Sequence, residues 1–185
     1  MSKIRPKTRD AIVEAAFDVY SKNQAASLGD VAKRAGVGRA TLHRYFSSRT
    51  ELMRSLALTA LAELSEAIDK ATENAESYEE GFQLSLFAIV PLANRQWFLA
   101  NEGIDTDPAV AAAYQESLDA LRRDIEEAKR EGAFDPHLPS AWIVEAYENL
   151  TYAAWSLVRS GEATPKQAAE LAWRTFSNGL KGSSS

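Results

Sequence analysis

The sequence contains no cysteine and only two histidines among its 185 residues. The missing thiols exclude disulfides, thiolate zinc sites, iron–sulfur clusters and a cysteine nucleophile. Neither His43 nor His137 has a carboxylate three residues before it, so the Glu-x-x-His pattern of di-iron bundles is missing too. Also absent are His-Glu-x-x-His and Gly-x-Ser-x-Gly. The longest apolar run, "LFAIVPLA", is far too short to span a bilayer, and the basic start "MSKIRPKTRD" lacks the apolar centre of a secretory signal. Alternating β-branched runs bounded by turn residues do not occur. These absences predict a soluble, cytoplasmic, all-α protein with no membrane segment, metal, cofactor or catalytic residue. Paired carboxylates such as Glu126 and Glu127 read as a solvated helix face, which leaves a small all-α enzyme as the weaker alternative.

Positive charge is scarce in most of the chain and concentrated at its start. Residues 1–50 hold ten Lys and Arg against four Asp and Glu, a net of +6, while the remaining residues carry a net of −11 within a total of −5. A basic head on an acidic body points to a polyanion as partner of the head alone, because phosphates would repel the body. Charge differences of this kind also arise without function, so the motif must decide.

Apolar residues recur at helical spacing almost throughout. The first helix is expected from Pro6 to about Ser21, with Ile12, Ala15, Ala16, Val19 and Tyr20 inward and Asn23 as a left-handed cap. A second begins after the capping Ser27 and ends at Gly36, and a third runs from about Arg39 to Phe46. Ser48 and Glu51 read as a capping box opening a long fourth helix to about Ala71. The polar stretches "ENAESYEE", "NEGIDTDP", "REGAFDPHLP" and "RSGEATP" separate the later helices, with Asp107 before Pro108 as a start and Gly161 as a stop. Pro91 should kink the helix that contains it. The expected division is a head of residues 1–52 and a body of residues 53–185.

The stretch "VAKRAGVGRATLHRYF" carries the functional reading. Two helices crossing steeply through a tight turn need a small residue at their closest approach, glycine where φ is positive, and apolar residues between them. Ala32, Gly36 and the set Val31, Ala35, Val37, Leu42 and Tyr45 fit those requirements, which defines a helix-turn-helix. The second helix would enter the major groove with Arg39, Thr41, Arg44 and the backbone at Gly38 toward DNA, arginine gripping guanine through two parallel hydrogen bonds. A plain helical hairpin needs the same small residues but not the basic decoration. "GVGRAT" also half-resembles a phosphate loop, yet it follows a polar helix where that loop would follow a strand.

Together, "SLGDVAKRAGVGRATLHRYFSSRTEL" and the preceding "AIVEAAFDVY" closely resemble the TetR family of transcriptional regulators. The resemblance implies contacts to phosphates or bases from Ser27, Thr41, His43, Tyr45 and Arg49. It also implies a ligand-responsive repressor that binds a palindromic operator as a homodimer and is released by a small-molecule effector. The sequence departs from the family pattern at His43, Arg49 and Gly38, where tyrosine, lysine and a serine-like cap are usual.

In the body, Ala168, Leu171, Ala172, Thr175, Phe176 and Leu180 form one apolar stripe. Ile143, Ala146, Tyr147, Leu150, Ala154 and Leu157 form a second, and the pair predicts a homodimer through the last two helices. Trp142, Glu145, Asn149, Tyr152 and Ser156 share another face. With Trp97, Phe98 and Tyr114 from neighbouring segments, the first four of these are the candidate lining of an effector pocket. A DNA-binding dimer without an effector is the closer alternative.

Overall fold

A computed structural model describes residues 6–101 and 107–180. Its elements are α1 (Pro6–Tyr20), α2 (Leu28–Arg34), α3 (Arg39–Tyr45), α4 (Arg49–Thr72) and α5 (Tyr78–Ile89). A 3-10 turn (Val90–Leu92), α6 (Ala93–Asn101), α7 (Pro108–Arg130), α8 (Ser140–Ser160) and α9 (Pro165–Leu180) follow. No strand occurs among the described residues.

Helix starts follow side-chain chemistry. Ser27 accepts from the Asp30 amide while the Asp30 carboxylate takes the Ser27 amide at 2.8 Å, a complete capping box. Asp107 accepts from the amides of Ala109 and Val110, and Pro108 fills the first helical position. The Ser48–Glu51 expectation is half met. Ser48 accepts from the Glu51 amide, but the Glu51 carboxylate passes over Ser48 to the amide and hydroxyl of Ser47. Gly161 ends α8 with φ 77, in the left-handed region only glycine adopts without strain. Asn23 is corrected: no residue other than glycine has positive φ among the described residues, and the Asn23 side chain instead accepts from the Ala25 amide at 3.0 Å. Pro91 does more than kink its helix. Lacking an N–H, it sits in a 3-10 turn that separates α5 from α6, so one expected helix becomes two.

One continuous hydrophobic core runs from Ile12 to Leu180. The 24-residue α4, about 36 Å long at helical rise, buries Leu52 and Leu56 toward the head and Ala60, Leu61 and Leu64 toward the body. The body packs α8 on α9, α5 on α4 and α9, and α7 on α8, with α6 set between α8 and α1. Its centre is an aromatic cluster of Phe82, Phe134, Tyr147 and Phe176, with ring centroids 5.1 to 5.9 Å apart. That cluster explains a second correction. Ile143, Tyr147, Ala154, Ala168, Ala172, Phe176 and Leu180 are buried within the chain, so half of the α8 stripe and most of the α9 stripe assigned to dimerisation serve its own core. The faces of α8 and α9 turned to solvent carry Trp142, Tyr152 and Leu171 instead, at 62, 40 and 41% exposure.

Candidate nucleic-acid interface and ligand cavity

The helix-turn-helix is built by three contacts. Val31, Ala32 and Leu42 are buried between the helices, while Ala35, Val37 and Tyr45 are half-buried at their edge. Gly36 takes φ 68, and Val37 donates back to the Ala32 carbonyl at 3.0 Å, which closes the turn. Gly29 is the small residue the sequence reading missed: a Cβ there would lie 3.2 Å from the Arg39 guanidinium, which folds over the start of α2.

On α3 the outward face holds Arg39, Ala40, His43 and Arg44, which recur at i and i+4. Thr41 and Tyr45 lie at its edge, half-buried, so the expected trio of Arg39, Thr41 and Arg44 does not share one face. Arg44 lies 5.6 Å from the centre of the Tyr45 ring. Lys33, Arg39 and Arg44 make no salt bridge with any described residue, whereas Lys22 and Arg34 both pair with Asp18. The Asp18 carboxyl is held below its ordinary value by the hydrogen bonds from Lys22 and Arg34. Ser27 is exposed and fixed by its capping box. Arg49 is also exposed but is occupied by the protein: it donates to the Gln24 carbonyl at 2.7 Å and lies 5.0 Å over the Tyr20 ring.

Gly38 caps α3 with extended φ −71 and no side-chain hydrogen bond, and a Cβ there meets nothing within 4 Å. Gly38→Ser should therefore supply the missing cap and stabilise the protein by about 0.5 kcal/mol, read as a small rise in the urea midpoint. A fall would show that the site does not accept a side chain.

Below the head, α4, α5, α6, α7 and α8 line an open-mouthed cavity of about 860 Å³. Of the expected lining, Tyr114, Glu145, Asn149 and Tyr152 are present. Two expectations fail. Trp142 points to solvent, and Phe98 is buried edge-on against Phe17 at 5.6 Å in the seam between α6 and α1. Trp97 lies on α6 with its side chain outside the described residues. The sequence reading missed Leu64, Phe82, Ser85, Asp124, Glu148 and Trp155, which complete the wall from α4, α5, α7 and the inner side of α8. Tyr114 donates its hydroxyl to Glu148 at 2.7 Å. Burial pushes the Tyr147 phenol well above its ordinary value. The Trp155 indole N–H is buried without a hydrogen-bond partner. Among the described residues there is no cluster of metal ligands, and no helix is long and apolar enough to cross a membrane.

The head and the body are joined through Arg95 on α6. Its guanidinium, 11% exposed, pairs with Glu14 of α1, donates to Glu63 of α4 at 2.7 Å, and sits 4.6 Å over the Phe17 ring. Burial alone would lower its pKa, but the two carboxylates outweigh burial and hold it above the ordinary value. Farther along, Arg159 of α8 donates to the Ser21 carbonyl at 3.2 Å.

A basic helix-turn-helix on an all-α body with a large cavity defines a class of protein, the ligand-responsive DNA-binding transcriptional regulator. The chain belongs, more particularly, to the TetR family: the model of "Bacterial regulatory proteins, tetR family" matches residues 12–56. It is similar to the HTH-type transcriptional repressor LfrR of Mycolicibacterium smegmatis, 30% identical over 161 residues that cover 86% of this chain and 84% of that protein. The crystal structure of LfrR in complex with proflavine superposes with a TM-score of 0.80 at 28% identity, covering 95% of this chain and 97% of that one. KstR2 of Mycobacterium tuberculosis, a ketosteroid transcriptional regulator, shares the fold with a TM-score of 0.81 at 17% identity, over 96% of this chain and 97% of that one.

Proposed function

We propose that the protein is a repressor that binds a palindromic operator as a homodimer and releases it when a small molecule fills the cavity. The observation that carries the reading is the unpaired basic face of α3, standing on a head tied by Arg95 to the helix that walls the cavity. Residues 1–52 act as the reading head and residues 53–185 as the effector and dimerisation body.

In the complex, Arg39 and Arg44 reach base edges or phosphates, with His43 between them and Thr41 and Tyr45 at the flank. Ser27 and the Gly38 backbone border the same surface, and Arg49 approaches the phosphates after leaving Gln24 or through its exposed edge. Dimerisation uses the outward faces of α8 and α9, where Trp142 and Leu171 are exposed. Two heads then meet half-sites about 34 Å apart.

Coupling follows from α6. Gln96, Leu99 and Ala100 face the cavity while Arg95 and Phe98 face the head. A ligand that shifts α6 drags α1 and α4 through the Arg95 clasp, and the two heads lose the half-site spacing. DNA and ligand therefore weaken each other reciprocally.

Selection of bound duplexes from a random pool is the test. The expected product is an inverted repeat bound by a protein dimer. A non-repeated site bound by a single chain, or no enrichment, would overturn the reading.

A further inference from the structure

The lining of the cavity is one-sided in charge. Asp69, Glu76, Asp124, Glu131, Glu145 and Glu148 line it, and no Lys, Arg or His does among the described residues. A ligand entering this space meets only negative side-chain charge, from the half-buried Glu148 and five exposed carboxylates. An anion of any shape is opposed there, and a cation is favoured.

The carboxylates are not equally available. Glu131 accepts the Tyr78 amide at 2.9 Å, and Glu145 accepts from the Asn149 side chain at 3.3 Å. Asp124 makes no hydrogen bond or salt bridge with any described residue. Asp124 is exposed, yet partial desolvation by the protein raises its pKa, with neighbouring Arg123 opposing and Glu127 reinforcing the shift. Glu148, bonded to the Tyr114 hydroxyl, retains its second oxygen. Asp124 lies ten residues beyond Tyr114 on α7, about 15 Å at helical rise, so the two counter-charges stand at different levels of the cavity.

The remaining chemistry of the wall is aromatic. Tyr114, Tyr152 and Trp155 offer ring faces, which attract cations once water is excluded. Trp155 is 7% exposed, and its indole N–H is buried away from the cavity surface. The uniform charge and the aromatic faces are separate observations, and both describe one kind of occupant.

We propose that the cavity selects lipophilic organic cations, with Asp124 and Glu148 as the counter-charges, and rejects anions of similar size. This rests on the effector reading of the same cavity.

Two fluorescent xanthenes separate the charge question from the regulatory one. Rhodamine 6G is a cation with an ester carbonyl, and fluorescein is an anion on a related skeleton. By fluorescence anisotropy against the full chain, rhodamine 6G is expected to bind at least about tenfold more tightly. Asp124→Asn and Glu148→Gln should each weaken rhodamine 6G about threefold or more without weakening fluorescein. Fluorescein binding as tightly as rhodamine 6G, neither dye binding, or rhodamine 6G binding unchanged in both variants would overturn the proposal. Repeating the titration with the selected operator duplex reads the other claim. Rhodamine 6G bound without loss of DNA would overturn effector release while leaving charge selection standing.

Discussion

Replacing Arg39 and Arg44 together by alanine is expected to weaken operator binding by at least about a hundredfold while leaving the fold intact. Each base or phosphate contact of this type contributes about 1–3 kcal/mol, and a dimer loses four arginines at once. Stability should hardly change, because both side chains are exposed and neither makes a salt bridge within the described chain. The slope of log affinity against log salt should also fall, by about 0.9 for each phosphate contact removed. Anisotropy titrations of the selected duplex at several salt concentrations check both effects. An unchanged affinity with an unchanged melting temperature would remove α3 from the interface.

Arg95→Ala should have the largest effect on stability. It leaves the Glu14 and Glu63 carboxylates facing one another beside Phe17 with no counter-charge. Water screens the carboxylates left behind, which are 56 and 35% exposed, so the loss of their counter-charge and of the Arg95 packing costs about 1–2 kcal/mol, which for a chain of this length lowers the melting temperature by roughly 2–8 °C. A gentler variant isolates the coupling. Glu14 is 56% exposed, so Glu14→Gln should cost less than about 1 kcal/mol while cutting the link from α6 to α1. In that variant, operator binding without ligand should persist, and the fold-loss on adding ligand should shrink several-fold. A full ligand response in Glu14→Gln would mean that the signal reaches the head by another route, such as the Arg159 contact with Ser21.

The head was legible because its constraints are local. Ser27 and Asp30 are three residues apart, Gly36 is the one residue type that takes φ 68 without strain, and Ala32 and Leu42 must be small and apolar where two helices cross. Asn23 misled because its side chain, hydrogen-bonding two residues ahead, replaces a left-handed backbone. The cavity was half legible. Helix α8 carries aromatic and polar residues on two faces, so periodicity alone cannot say which face turns inward. Packing decides: Tyr147 joins the Phe82–Phe176 cluster, which rotates Trp142 to solvent and brings Glu148 and Trp155 to the wall. Asp124 was unreadable for a similar reason, since an exposed acid on α7 looks like any solvated charge until α4 and α5 are seen to pack beside that helix. Likewise the stripes on α8 and α9 have the correct period, yet period does not distinguish a surface for a second chain from the chain's own core.

The absence of native cysteine permits the most direct measurement. An iron-chelate cleavage reagent attached at Ala40→Cys, on the exposed face of α3, labels one site per chain. On the selected operator, the account predicts two clusters of strand cleavage about 34 Å apart, centred in successive major grooves, and no cleavage from the same reagent at Lys166→Cys on α9. Cleavage from Lys166→Cys with none from Ala40→Cys would contradict it.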